Sequence, residues 1–342
     1  MVTLTDVAAR AGVSASTVSY VISGKRPISH DTRDRVLQAV ADLGYHPHAS
    51  ARALASHRSN VIAMMVPLRT DMYTPILMET ALTVATVAHE RGRDVLLLTG
   101  DEGSGGVRRV AASGLADAVI LMDVELDDAR IPTLRETTLP SVLIGCPDSP
   151  ADLTCVDLDF AAAGAACADH LADLGHRRIV LIGADAEVYR RRTGFAARTL
   201  GGFLRRSRQR GIAASHHPCD GSFAAAAQLI GRILAEHPDT SGFVVQNESI
   251  AGLLPHLLRQ RGKAVPEDAS VVAICPEQLA LQAVPQLTAV AVPAQELGRR
   301  AVALALAQLA GLPTSGVSLI PPHLVVRQSS QRPCTALRRT AA

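Results

Sequence analysis

The chain has 342 residues, 48% hydrophobic and 19% charged, so it can bury a sizeable core and is not globally disordered. Aromatics make up 3% and tryptophan is absent, which leaves Ala and Val to fill a core of helices packed on parallel sheet. No apolar run reaches the roughly 18 residues a membrane span needs, and MVTLTDVAAR lacks the basic and apolar segments of a secretory leader, so a cytoplasmic protein with no membrane partner is expected.

The near balance of 34 basic and 32 acidic residues conceals a bias. Residues 1–60 hold seven Lys and Arg against four Asp, and no acid lies between Leu43 and Thr70. A basic head on a nearly neutral body points to a polyanionic partner. The six cysteines (Cys146, Cys155, Cys167, Cys219, Cys275, Cys334) show no CxxC spacing. Reduced thiols, with no metal and no cofactor, are expected.

Residues 1–45 read as three short helices. Thr5 is placed to cap the first, with Val7, Ala8 and Ala11 as its apolar stripe and Gly12 as its break. Ser14 caps the second, on which Val18, Val21 and Ile22 face inward while Ala15, Ser16, Ser19, Tyr20 and Ser23 form the opposite arc. Ser29 caps the third, with Val36, Val40 and Leu43 inward and Gly44 as its stop. Residues 46–59, HPHASARALASHRS, are an Ala-rich linker, marginal as a helix unless held against something.

From Val61 onward strand-like runs alternate with helical ones: VIAMMVP, DVLLLTG, ADAVILMD, PSVLIG and TCVDLD, then RRIVLIG, GFVVQN, SVVAICP, TAVAVP and HLVVRQSS. This alternation predicts an α/β body of parallel sheets covered by helices, in two similar halves. Ligands of such sheets bind beyond the carboxyl ends of the strands, so the loops after Val66, Gly183, Asn247 and Ile274 are expected to border a cleft. The segment PILMETALTVATVAHERG is apolar on more than one face (Ile76, Leu77, Ala81, Leu82, Val84, Ala85, Val87, Ala88), which asks for a second partner besides the sheet.

A capped helix, a Gly turn and a second capped helix with a polar outer arc match a helix-turn-helix, although a Gly turn between helices is common in any helical protein. The whole stretch LTDVAARAGVSASTVSYVISGKRPISHDTRDRVLQAVADLGYHPHASARALA closely resembles the head of the LacI/GalR family of bacterial transcription regulators. LADLGHRRIVLIG, RRRTGF, VPEDASVVAI, PQLTAVAVPAQELGRRAV and LVVRQSS resemble further segments of that family in order, so the resemblance covers nearly the whole chain.

The resemblance implies a helix-turn-helix domain over 1–45, a hinge helix over 46–59 and an effector-binding, dimerising body of periplasmic-binding-protein type over 60–330, with a tail at 331–342. Within the body it implies one subdomain of about 60–159 plus 288–316 and another of about 160–287 plus 317–330. It implies a homodimer on a pseudo-palindromic operator in double-stranded DNA. Ala15, Ser16 and Tyr20 would face base edges, and Thr3, Ser14, Thr17, Ser19, Ser29 and Thr32 would bond phosphates. Tyr20 stands where an arginine often grips guanine.

In the hinge, Leu54 would wedge into the minor groove, Ala51 would let paired hinges approach, and His48 would stand at a usual asparagine. The effector, a small molecule and by family a sugar or sugar derivative, would meet Leu68, Thr70, Asp71, Tyr73, Arg191, Asn247 and Cys275. Where many members read GFDD this chain reads AICPEQ, which puts Cys275 and Pro276 at the acidic positions. The multiply apolar helix would lie in the dimer interface, and the tail CTALRRTAA has no leucine heptads to build a tetramer.

An enzyme is not expected: HExxH, GxSxG, a Walker loop and GxGxxG are missing, and GSGG at 103–106 lacks the spacing of a phosphate cradle. The alternative is a solute-binding or ligand-sensing protein without a DNA role, which would share the body but not the basic three-helix head.

Overall fold

In the computed structural model Thr3, rather than Thr5, caps the first helix. A reciprocal cap needs an acceptor three residues on; Thr3 has Asp6, whereas Thr5 has Ala8. The Asp6 N–H donates to Thr3 Oγ1 and the Thr3 N–H to Asp6 Oδ2, which opens α1 (Leu4–Ala11). The structure describes residues 2–23, 26–45, 58–69 and 72–333, in two units that divide between Ser59 and Asn60.

The first unit holds α1, α2 (Ala15–Ser23) and α3 (His30–Leu43). Gly12 and Gly44 end α1 and α3 in the left-handed conformation, which costs glycine nothing. Val7, Ala8 and Ala11 pack with Val18, Val36, Ala39 and Tyr45, while Val21, Ile22, Val40 and Leu43 are half-buried around them.

The second unit is α/β with two six-stranded sheets. The first contains β1 (Val61–Met65), β2 (Asp94–Leu98), β3 (Ala118–Leu121), β4 (Ser141–Ile144), β5 (Thr154–Leu158) and β11 (Gly316–Ile320), in the order β11-β5-β4-β3-β1-β2, all parallel. The second contains β6 (Arg178–Gly183), β7 (Ala213–Pro218), β8 (Gly242–Val245), β9 (Ser270–Cys275), β10 (Thr288–Ala291) and β12 (Leu324–Val325), in the order β12-β10-β9-β8-β6-β7, with only β12 antiparallel.

Successive strand residues face opposite sides. Ile62, Met64 and Ile120 lie under helices Thr74–Glu90 and Ala294–Leu309, and Ala63, Met65 and Val119 under helices Gly103–Ser113 and Ile131–Glu136. The second sheet is covered likewise on both faces.

The expected split of the C-terminal segments needs correction. Thr288–Ala291 was expected with the first half, yet it pairs with β9 in the second sheet; Gly316–Ile320 pairs with β5 in the first. The chain therefore changes halves after β5, after β10 and after β11. Two strands escaped the sequence reading, β7 (AASHHP) and β11 (GVSLI). Both are half-exposed sheet edges without a continuous apolar run. Gly103–Gly106 does open a helix after β2, but Gly106 answers to packing: a Cβ there would stand 2.9 Å from Met65 Cε.

Helix Phe160–Leu174 crosses helix Gly194–Gln209 at two glycines. A Cβ on Gly202 would meet the Ala161 carbonyl oxygen at 1.9 Å, and one on Gly164 the Thr199 oxygen at 2.3 Å. Gly202→Ala should destabilise the body by about 3 kcal/mol, the upper end for overpacking. Gly201→Ala, exposed with nothing within 4 Å, should stabilise it by about 0.5–1 kcal/mol through helix propensity. Urea midpoints of the two variants check the pair; equal shifts would rule out a glycine-dependent crossing.

Candidate functional site

In the first unit the N-terminus of α2 gathers hydroxyls. Ser14 Oγ accepts the Thr17 N–H at 3.1 Å and lies 2.9 Å from Thr17 Oγ1 and 3.3 Å from Ser16 Oγ. Hydroxyls and free N–H groups at a helix start suit an anion without any side-chain cation. Ser29 precedes α3 but does not cap it through its side chain; its hydroxyl donates to Thr32 Oγ1 at 2.9 Å. Thr3 is occupied as the cap of α1. Ser16 is exposed, Ser19 is half-buried, and Ala15 packs partly against the core. Tyr20 is 37% exposed, and Arg26 Cζ stands 5.8 Å from its ring centroid, which gives the phenol face a cationic neighbour. His48, Ala51 and Leu54 lie outside the described residues.

The second unit contains a cavity of about 190 Å³ between its two sheets. Residues at or just past the carboxyl ends of the strands wall it, as parallel sheets dictate: Asp123, Gly145 and Asp157 from the first half, and Asp185, Asn247 and Ile274 from the second. Helix Thr74–Glu90 adds Ile76 and Leu77, and Phe160 and Phe195 add ring faces.

Of the expected effector residues, Tyr73, Arg191 and Asn247 line the cavity. Asn247 is itself fixed, its Nδ2 donating to the carbonyls of Cys219 at 2.8 Å and Gly183 at 3.3 Å. Two others do not line it. Leu68 is 46% exposed and outside the cavity wall. Cys275 turns into the core on the opposite face of β9 from Ile274, because strand residues alternate. Burial, aided by Glu248, pushes its thiol up to about 12, so it is no activated thiolate. Thr70 and Asp71 lie outside the described residues. Among those described, five cysteines are free and buried, and no group of His, Cys, Asp and Glu could hold a metal.

The sequence reading missed the contacts that join the halves. Arg198 donates to the carbonyl oxygens of Cys146 at 2.6 Å and Pro147 at 3.1 Å. Arg191 Nε lies 3.4 Å from Glu125 Oε1, and Arg192 pairs with Asp148 at 3.0 Å. The Gly194 N–H donates to the Val124 oxygen at 2.9 Å. Arg130 grips Asp128 and the Met122 and Asp123 carbonyls, which holds the loop after β3 in place. Burial raises Glu125, with Asp128 adding to the rise. Asp157, 5% exposed, accepts the Leu158 N–H at 2.9 Å, and burial pushes it up to about 7. Burial likewise pushes Glu248, on the opposite wall, up to about 7. Carboxylates inside apolar strand ends were the available signal for Asp157; none in the sequence pointed to Arg198.

The model of bacterial regulatory proteins of the lacI family matches residues 3–48, and the periplasmic binding protein-like domain matches residues 168–330. The chain is 30% identical over 337 residues to the HTH-type transcriptional regulator CelR of Thermobifida fusca, covering 96% of this chain and 98% of that one. It is 31% identical over 340 residues to the HTH-type transcriptional regulator GalS of Salmonella typhimurium, covering 96% of each. A solved CelR–cellobiose complex is 26% identical with a TM-score of 0.68, covering 96% of this chain and 100% of that one. A lac repressor dimer bound to operator and the anti-inducer ONPF is similar in fold, with a TM-score of 0.85 at 23% identity over 96% and 99% of the two chains.

The raised Asp157 makes a pH prediction. A carboxyl whose folded value is about 7 and whose unfolded value is 3.8 leaves stability intact below about pH 4 and subtracts from it as pH rises through 7. Asp157→Asn, which keeps an acceptor for the Leu158 N–H, should match the parent in unfolding midpoint near pH 4. It should exceed the parent by a gap that widens to pH 7 and then levels off. A gap independent of pH would show that Asp157 is ionised at little cost.

Proposed function

The chain belongs to the lacI family of bacterial regulatory proteins, and from that premise we propose that it is a repressor whose grip on a near-palindromic operator is switched by a sugar or sugar derivative. It is a DNA-binding transcriptional regulator. The observation that carries the switch is the cavity: its walls come from both halves, and it borders the turn through which Arg191 and Arg198 pin one half to the other. An occupant touching Arg191 competes with Glu125 for that guanidinium and so biases the angle between the halves. A ligand shifts the equilibrium only by its differential binding to the two states, about 1–3 kcal/mol in typical cases.

On the DNA side, Ala15, Ser16 and Tyr20 read base edges in the major groove, while Thr3, Ser14, Thr17, Ser19, Ser29 and Thr32 hold phosphates. The hydroxyl cluster at the start of α2 supports the phosphate role. Paired hinges carry Leu54, with Ala51 and His48, into the minor groove, where unstacking costs a few kcal/mol and is offset by contacts to the bent duplex. The repressor acts as a cytoplasmic homodimer; Leu82, 67% exposed on the helix that covers β1, supports a second copy on that face. No described helix is long and apolar enough to cross a membrane.

Selection of bound sequences from random DNA, with and without sugars, tests the whole reading. Removing residues 1–59 should abolish the DNA binding of the full chain and preserve ligand binding; DNA binding that survives the truncation would take that role from the head, and a full chain that binds ligand but no DNA would leave only a solute-binding protein. Tyr20→Ala should change the preferred base at one or two positions per half-site, and an unchanged preference would make Tyr20 structural. Leu54→Ala should weaken operator binding far more than nonspecific binding in anisotropy titrations, and equal losses would remove the wedge.

A further inference from the structure

The cavity is lopsided in charge. Among the described residues five carboxylates border it (Asp123, Asp157, Asp185, Asp220 and Glu248) against one cation, Arg191. Asp123 pairs with Arg69, while Asp185, Asp220 and Asp157 each accept one backbone N–H, from Glu187 at 2.8 Å, Ser222 at 2.8 Å and Leu158 at 2.9 Å. Arg191 is turned to Glu125. Asp157 and Glu248, one on each half, are the two that burial raises; among the described residues neither has a cation in ion-pair contact, and Asp157 feels Arg198 only at longer range.

A second observation points the same way. Gln246, 2% exposed and part of the cavity wall, gives its Nε2 to Thr199 Oγ1 at 2.8 Å and leaves Oε1 with no donor among the described residues. A buried acceptor without a donor is costly, and this one lies two residues from Glu248. Much of the remaining wall is apolar, with Ile76, Val124, Phe160, Phe195 and Val292 among it.

From this geometry we infer that the ligand of the cavity is an organic amine, protonated at neutral pH and borne on a ring with an apolar face. Its ammonium is received by Glu248 and Gln246 Oε1, with Asp157 taking further N–H or O–H donors. The inference rests on the cavity being the effector site, and it narrows a sugar derivative to an amino sugar or comparable ring-borne amine. A neutral sugar leaves two desolvated carboxylates without a counter-charge. An ammonium stabilises the ionised form that burial disfavours in both acids, each pushed up to about 7.

Isothermal titration of the full chain at pH 7.5 with amines and their neutral twins tests this. The probes are glucosamine with N-acetylglucosamine and glucose, galactosamine with N-acetylgalactosamine and galactose, and benzylamine with N-acetylbenzylamine. At least one amine should bind at least about tenfold tighter than its N-acetyl twin. Glu248→Gln should erase that preference, and Gln246→Glu should enlarge it. A neutral twin or parent sugar that binds as tightly as the amine, or an amine set in which nothing binds, overturns the inference. Where Glu248→Gln does not fold, Gln246→Glu decides: an unchanged or smaller preference overturns it.

Operator titrations with the same probes separate this from the broader reading. A neutral sugar that binds and shifts operator affinity preserves the effector reading and removes the amine. An amine that binds without shifting operator affinity preserves the amine and removes the effector role.

Discussion

The guanidinium of Arg198 spans the two halves of the body. It leaves helix Gly194–Gln209 in the second half and ends on the carbonyls of Cys146 and Pro147, just past β4 in the first. Those carbonyls have no sheet partner to satisfy them, so the arginine supplies the donors they would otherwise take from water. Around it, Gly194 bonds Val124, Arg192 pairs with Asp148, and Arg191 approaches Glu125. The turn before helix Gly194–Gln209 and the start of that helix thus tie the rim of the cavity together. A ligand that alters any of these contacts acts on the orientation of the halves directly, without a relay through their cores, which are closed and apolar on both faces of each sheet.

That arrangement leaves the carboxyl ends of both sheets confronting each other. Strand ends are where parallel sheets leave side chains unclaimed by helix packing, so acids tolerated there are poorly solvated but not sealed in. Asp157 and Glu248 are raised for this reason, by burial before any neighbouring charge. The fold carries their cost at the place where a ligand can offset it, whereas the buried pair of Asp128 and Arg130 is satisfied internally and serves only to hold its loop. The contrast separates binding groups from scaffolding groups among side chains of the same type.

How far the sequence revealed this depended on whether a feature was local. Strands with helices on both faces are continuous apolar runs and were legible, as SVVAIC shows; the edge strands AASHHP and GVSLI were not, because one side of each meets solvent. The place of β11 was hidden because its partner β5 lies far away in sequence, whereas β10 pairs with β9, the strand just before it, and that adjacency was the signal passed over. Tyr73, Arg191 and Asn247 were legible from family position and reach the cavity; Cys275 packs into the core, and by strand alternation its neighbour Ile274 faces the cavity instead. Gln246 and Asp157 sit inside strand-like runs where polar residues read as strand termini, and only the meeting of two sheets gives them a role. Thr5 lost to Thr3 on a rule that was available, since only Thr3 has an acid three residues ahead.

The head poses the opposite electrostatic problem, a polyanion met by a helix without cations. The start of α2 offers geometry instead: Ser14 and Thr17 bring two hydroxyls to the positive end of the helix dipole, placed to meet a phosphate without sequence preference on the reading proposed above. Charge sits to the side, on Arg26, whose guanidinium carbon stands 5.8 Å from the Tyr20 ring centroid. A single phenol offers one hydrogen bond and an apolar edge, where an arginine offers a bidentate fork. If Tyr20 faces the bases as proposed above, discrimination at that position shifts from a guanine-gripping donor pair toward shape and methyl contact. Affinity rests correspondingly more on phosphates and on the acid-free stretch from Leu43 to Thr70, so a steep fall of binding with salt is the expected signature of this head.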